Sequence, residues 1–162
     1  MSSDTPISIE NDDLWLRLDN QLCFALYAAN RAVTAEYREL LADLDLTYPQ
    51  YLVMLVLWEA ERSGQVVRIS DLGQRLRLDT GTLTPLLKRM AGHGLLERRR
   101  DQQDERIVTL HLTASGSTLR ERARSVPREL VCRAGMEREQ LVSLRQSLYQ
   151  LLEHLEKASA PD

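Results

Sequence analysis

Two cysteines carry the only nucleophilic sulfur in the chain: Cys23 in "DNQLCFALYAAN" (19–30) and Cys132 in "ELVCRAG" (129–135). A thiol reacts as its thiolate, and an ordinary cysteine with a pKa of about 8.5 is mostly protonated at neutral pH. Where the thiolate is favoured, a peroxide converts it to a sulfenic acid, which condenses with a second thiol. The competing reading is a small apolar filler, the commonest fate of a free cysteine. Asp19 is a candidate N-cap that would place Cys23 near the end of a first helical turn, where the helix dipole modestly favours an anion. Leu22, Phe24 and Leu26 would suit an apolar hydroperoxide better than hydrogen peroxide, and Tyr27, one turn on, shares the cysteine's side. No Lys or Arg lies nearer than Arg17 and Arg31, six and eight residues away, so the arginine support of a peroxide-turnover enzyme is not evident. His93, His111 and His154 are dispersed without ligand spacing, so no metal is expected. No P-loop, dinucleotide fingerprint or nucleophile elbow occurs, and no cofactor is implied.

A second chemistry is anion binding. Between Arg62 and Arg106 there are ten Arg/Lys against six Asp/Glu, a net +4, while the rest of the chain carries −7. A basic middle in an acidic protein fits an anionic partner that touches only that middle. Within it, "RISDLGQRLRLDTGTLTPLLKRMAGHG" (68–94) reads as two short helices and a tight turn. Ser70 is the expected cap of the first, and Asp79 of the second, with Thr84–Pro85 as a later possible start. Leu83, Leu86, Leu87 and Met90 form one face of the second helix. Thr82, Thr84, Pro85, Lys88 and Arg89 form the other. Gly94 is its expected left-handed stop. "LLERRRDQQDERIVTLHLT" (95–113) then changes period from 3.6 to 2, which predicts a hairpin with "DQQDE" as its link. A helix–turn–helix followed by a basic hairpin is the winged DNA-binding arrangement. Its second helix meets base edges, while Arg98, Arg99, Arg100 and Arg106 reach phosphates or the minor groove.

These elements need positioning. Residues 1–13 read as a loose acidic tail, with no leader-like pattern. A long helix is expected to about residue 44, and "LTYPQYLVMLVLWEAE" (46–61) reads as a buried helix with Pro49 in its first turn. Thr113 is expected to cap a helix broken at Pro127, and a last helix from about 137 to 157 carries the seam Leu141, Leu144, Leu148, Leu151 and Leu155. The fold class is therefore mainly α with a small β-hairpin wing. It divides into a tail and N-terminal dimerisation helix (1–44), a winged helix-turn-helix (46–112) and C-terminal dimerisation helices (113–162). Apolar seams at both ends are covered either by an intramolecular bundle or by a homodimer. The dimer is favoured because it sets two recognition helices about one DNA turn apart, matching a pseudo-palindromic operator.

The longest apolar run, "YLVMLVLW" (51–58), is too short to span a membrane, and two cysteines in a chain of 162 residues fit reduced cytoplasmic thiols.

The order of elements, the segment "LDTGTLTPLLKRMAGHGLLERRRDQQDERIVTLHLTASG" and the D-x-x-D-x-R pattern of Asp101, Asp104 and Arg106 resemble the MarR family of dimeric winged-helix regulators. "LDNQLCFALYAANR" and "LTYPQYLVMLVLWE" resemble its organic-hydroperoxide-sensing OhrR branch, in its two-cysteine form. The resemblance implies a repressor, not an enzyme, that binds operator DNA when reduced and is released by organic hydroperoxides. It further implies that Cys23 senses and that Tyr37 and Tyr48 of the partner subunit hydrogen-bond its sulfur, with Tyr27 behind them. Cys132 would resolve the sulfenic acid as an intersubunit disulfide, and Asp101 and Asp104 would structure the wing. The alternative within the same architecture is a regulator released by a small aromatic ligand, with Cys23 merely packed.

Overall fold

The computed structural model describes residues 12–159. The expected tail lies outside them except at its end, where Asp12 and Asp13 open a short helix α1 (Asp12–Trp15). The first long helix, α2 (Leu22–Leu40), starts later and ends earlier than its apolar pattern predicts. Asp19 is not its cap: it sits in a 3-10 turn (Leu18–Asn20), and Gln21 is the capping position. Local hydrogen bonds explain the shift. Asn20 Nδ2 donates to the Leu14 carbonyl at 2.8 Å, and Gln21 Nε2 donates back to the Trp15 carbonyl, so both side chains bind the preceding segment. At the other end the chain tightens into a second 3-10 turn (Ala42–Leu44) that closes on Asp45 in the left-handed region (φ 52°).

Helix α3 (Tyr48–Ser63) begins at the Pro49 turn, where the Thr47 N–H donates to Gln50 Oε1 at 2.8 Å. It buries Tyr51, Val53, Met54, Val56, Leu57, Trp58 and Ala60, so its nearly all-round apolar pattern is that of the central element. Strand β1 (Val67–Arg68) leads directly into α4 (Ile69–Leu76). Pairing of Val67 and Arg68 with Leu110 and Thr109 carries the strand up to the helix, so Arg68, not Ser70, is the capping position.

Helix α5 (Thr80–Gly92) is capped by Asp79, whose Oδ1 accepts from the Thr82 N–H at 2.8 Å. The start at Thr84–Pro85 is not used, and Pro85 lies inside the helix. Gly94 takes the left-handed conformation (φ 70°) that a Cβ would strain. The wing is β2 (Leu96–Arg100) paired antiparallel with β3 (Val108–Leu112), with Leu96 opposite Leu112 and Arg100 opposite Val108. With β1 it forms a three-stranded sheet of order β1-β3-β2. The link between β2 and β3 is residues 101–107, longer than "DQQDE" alone, because Asp101 and Ile107 bond each other outside the ladder.

Thr113 caps α6 (Ala114–Ala123), accepting from the Gly116 N–H at 3.0 Å. Pro127 opens α7 (Val126–Ala134), and α8 (Arg138–Ser159) completes the described chain. The core lies in the winged helix and its supports: Leu41, Tyr51, Met54, Leu72, Leu87, Met90 and Leu96 are all at most 1% exposed. Among the described residues neither α2 nor α8 has a fully buried side chain, although Tyr37 and Leu40 of α2 pack against the core.

Candidate nucleic-acid interface and thiol sites

The two faces of α5 separate cleanly. Leu83, Leu86, Leu87 and Met90 are buried, while Thr82, Thr84, Pro85, Lys88 and Arg89 are exposed. Thr82 also serves the helix start, its hydroxyl donating to Asp79 Oδ2 at 3.0 Å. The wing sets Arg98, Arg99, Arg100 and Arg106 in solvent. Arg99 is held by Glu97 at 2.8 Å, so its charge is partly neutralised along the strand. Between wing and α5 lies a 380 Å³ groove whose lining includes Arg68, Ser70, Thr84, Arg98 and Arg106. The elements converge these cations on the polar face of α5, an arrangement suited to a polyanion.

Asp101 and Asp104 fold the wing tip. Asp101 Oδ1 accepts from the N–H groups of Gln103 (2.8 Å) and Asp104 (3.2 Å), and Asp104 Oδ1 accepts from the Arg106 N–H at 3.0 Å. The Gln103 and Asp104 bonds hold the Asp101 carboxyl below the usual carboxylate range. Arg106 is thereby fixed at the end of a hydrogen-bonded turn.

Cys23 is exposed at the second position of α2, two residues nearer the helix start than an Asp19 cap implies. No side chain caps this helix; the Phe24 and Ala25 N–H groups donate to the Gln21 carbonyl at 3.1 and 3.2 Å, and those of Leu22 and Cys23 are the ones that a helix start leaves without an intrahelical partner. Leu22, Tyr27 and, less fully, Phe24 are exposed around it, and Leu26 is half-buried. Tyr27 is turned to Arg31: its hydroxyl accepts from Arg31 Nη1 at 2.9 Å. Tyr37 and Tyr48 come together, their rings stacked with centroids 4.5 Å apart, and Tyr51 lies 5.7 Å from Tyr37. Burial pushes all three hydroxyls up, Tyr51 to about 12, so they remain O–H donors. They are not beside Cys23 of the same chain. Tyr37 is fourteen residues further along the same continuous helix, or about 21 Å at 1.5 Å per residue.

Cys132 is exposed near the end of α7. Its neighbour Arg133 spans to α2, with Nη1 2.8 Å from Glu36 and 2.9 Å from Glu39. Those contacts fix Cys132 beside the C-terminal half of α2, far along that helix from Cys23. Among the described residues no cluster of three or more His, Cys, Asp or Glu is placed to hold a metal, and no helix is long and apolar enough to cross a membrane.

A profile of the family described as Transcriptional regulator SarA/Rot matches residues 36–123. The organic hydroperoxide resistance transcriptional regulator of Bacillus subtilis (strain 168) is 44% identical over 147 residues, 91% of this chain and 97% of its own. The chain belongs to the organic hydroperoxide regulators of the MarR family. Solved structures place this MarR-family chain beside AbfR of Staphylococcus epidermidis. Reduced AbfR bound to DNA is 32% identical, with a TM-score of 0.73, over 90% of this chain and 99% of that one. The disulfide form of AbfR matches at TM-score 0.58, with 32% identity over 86% and 96%. A mutant of E. coli MarR, complexed with operator DNA, matches at TM-score 0.71, with 25% identity over 81% and 93%. The relatives and the winged-helix fold make this MarR-family member a transcriptional regulator, not an enzyme.

Two features of this MarR-family chain lie outside the sequence reading. Arg68 counted toward the basic middle, but its place in the groove depends on β1, a two-residue strand with no periodicity to find. The Glu36–Arg133–Glu39 cluster joins residues nearly a hundred apart. Its only local signal was a pair of carboxylates three residues apart on one helix face.

Proposed function

We propose that the chain is a homodimeric repressor that holds operator DNA in its reduced state and releases it when an organic hydroperoxide oxidises Cys23. The carrying observation is the layout of α2. Its uncapped first turn presents Cys23 among exposed apolar side chains, and the Tyr37–Tyr48 pair sits about 21 Å away at the other end. A twofold axis that sets two copies of α2 antiparallel brings each sulfur to the partner's tyrosines and to the partner's Cys132. The exposed helix N–H groups and the tyrosine hydroxyls then favour a negative sulfur. The disulfide that follows joins the lobes in a spacing the operator does not accept. In this reading Thr82, Thr84, Pro85, Lys88 and Arg89 enter the major groove. Arg98, Arg99, Arg100 and Arg106 contact the backbone or minor groove, and the protein works in the cytoplasm.

The test uses a duplex selected by the reduced protein from a random pool, with binding followed by fluorescence anisotropy. Cumene hydroperoxide is expected to release the wild-type protein and leave Cys23→Ser bound. Release of Cys23→Ser to the same extent overturns the reading.

A second reading has one observation behind it. Val33, Tyr37, Leu130, Val131, Leu141 and Val142 border a largely apolar 430 Å³ cavity between α2, α7 and α8, large enough for a small aromatic ligand. Release by such a ligand with both thiols blocked separates this reading from the first.

A further inference from the structure

We propose that Arg133 is a latch: its ion pairs with Glu36 and Glu39 hold the Cys132 end of α7 against α2, and their opening sets the rate at which Cys132 closes a disulfide. This rests on the reading of Cys23 as sensor and Cys132 as resolving thiol.

The two ends of α7 are anchored differently. Val126, at its start, is 3% exposed and belongs to the core. None of the following residues through Ala134 is buried. After Ala134 the chain passes through Gly135 in the left-handed conformation (φ 63°), with no atom within 4 Å of where a Cβ would stand. The helix is thus an arm fixed at its N-terminal end and jointed at its C-terminal end. Cys132 is near the free end. Polar anchoring there comes from Arg133 Nη1, 2.8 Å from Glu36 and 2.9 Å from Glu39. One guanidinium bridging two carboxylates of a neighbouring helix restrains the arm, because both bonds must break before it swings.

Within one chain the two thiols are far apart. Glu36 and Glu39 lie thirteen and sixteen residues after Cys23 on one continuous helix, or about 20 and 24 Å along it. A disulfide needs Cα atoms only about 4.4–6.8 Å apart. In the latched state Cys132 is therefore held the length of α2 from its own chain's Cys23. The Cys23 it can meet is therefore the partner's, and in the latch reading release of the arm lets the two sulfurs close the last distance. In the first step the hydroperoxide ROOH transfers its terminal oxygen to the Cys23 thiolate; the O–O bond breaks, and the alkoxide takes a proton and leaves as ROH. In the second the Cys132 thiolate of the partner attacks the sulfenic sulfur; the S–O bond breaks, the S–S bond forms, and the oxygen leaves with a proton as water. The peroxide is reduced by two electrons and the two sulfurs supply them. The latch acts on the second step alone.

The experiment separates the two steps in the full-length dimer. After mixing with cumene hydroperoxide, dimedone trapping reads sulfenic acid at Cys23, and rapid acid quench with non-reducing electrophoresis reads the disulfide. Arg133→Gln is expected to close the disulfide about two- to fivefold faster, the range of an exposed ion pair, with sulfenic acid forming at the wild-type rate. The double variant Glu36→Gln, Glu39→Gln removes the same pairs from the other helix and is expected to match it, while Arg133→Lys stays close to wild type. Added salt is expected to speed closure in the wild type and not in Arg133→Gln. Wild-type disulfide formation with an unchanged or slower rate in both Gln variants overturns the latch alone. A wild type in which Cys132 stays a free thiol overturns the latch together with the two-cysteine reading.

Discussion

Cys23 occupies the second position of a helix with no side-chain cap, where the sulfur is exposed and lies at the positive end of the helix dipole. Tyr27, one turn on, is turned to Arg31, from which its hydroxyl accepts. In the proposed dimer the partner's Tyr37–Tyr48 stack supplies the donors. Burial, then the neighbouring Tyr48, raises Tyr37, and burial raises Tyr48, so both keep their protons at neutral pH. Removing one hydroxyl without the ring isolates its contribution. Tyr37→Phe keeps the 4.5 Å stack and is expected to slow oxidation of Cys23 about tenfold, the lower end for one hydrogen bond to a charged group. Operator affinity of the reduced protein stays unchanged. Stopped-flow mixing with cumene hydroperoxide gives the rate, and an unchanged rate would remove Tyr37 from the site.

At the scale of elements, the winged helix depends on close contacts that leave no room for substitution. Gly116, in the first turn of α6, lies against the wing: a Cβ there would stand 2.0 Å from the Leu95 carbonyl oxygen, and the Gly116 carbonyl accepts from Trp58 Nε1 at 2.9 Å. Gly116→Ala is expected to cost about 1–3 kcal/mol by overpacking, read from urea unfolding, and to weaken DNA binding through displacement of the wing. The caps have a pH signature. The Thr82 bonds hold the Asp79 carboxyl below its ordinary range, and the Gln103 and Asp104 bonds do so for Asp101. A carboxyl depressed in the fold adds stability above its unfolded value of about 3.9, and that contribution is lost as pH falls through the lower folded value. The α5 start and the wing turn therefore stay formed at pH 5 and loosen only below about pH 4; carboxyl NMR titration checks both midpoints. These local devices were legible in sequence because each rests on residues three or fewer apart, as in Asp79–Thr82 and the D-x-x-D-x-R turn. The misplaced boundaries have a common cause. Asp19 and Ser70 are good capping types, but a 3-10 turn and a paired β1 strand moved the helix starts past them. Neither is encoded in the composition of the helix itself.

At the scale of the whole molecule, the uncovered surface is the pair of end helices. α2 and α8 run for 19 and 22 residues without one fully buried side chain among those described. Leu22, Val33, Leu144, Tyr149 and Leu152 remain exposed along them. Apolar stripes of that length are covered in a stable protein, and a symmetric dimer covers them with the same stripes from a second copy. In the proposed dimer the partner completes the thiol site, because α2 separates Cys23 from Tyr37 by about 21 Å within a chain. Complementation between two defective subunits decides whether the site is shared. One subunit carries Cys23→Ser with both tyrosines intact; the other keeps Cys23 but carries Tyr37→Phe and Tyr48→Phe. Each homodimer is impaired, the first for want of a sulfur and the second for want of donors. In the heterodimer, purified through two different tags, the one remaining Cys23 faces intact tyrosines if they come from the partner and defective ones if they come from its own chain. Oxidation of that single cysteine at the wild-type rate per site is expected, and a rate equal to that of the doubly substituted homodimer would place the donors within one chain and rule out the antiparallel arrangement.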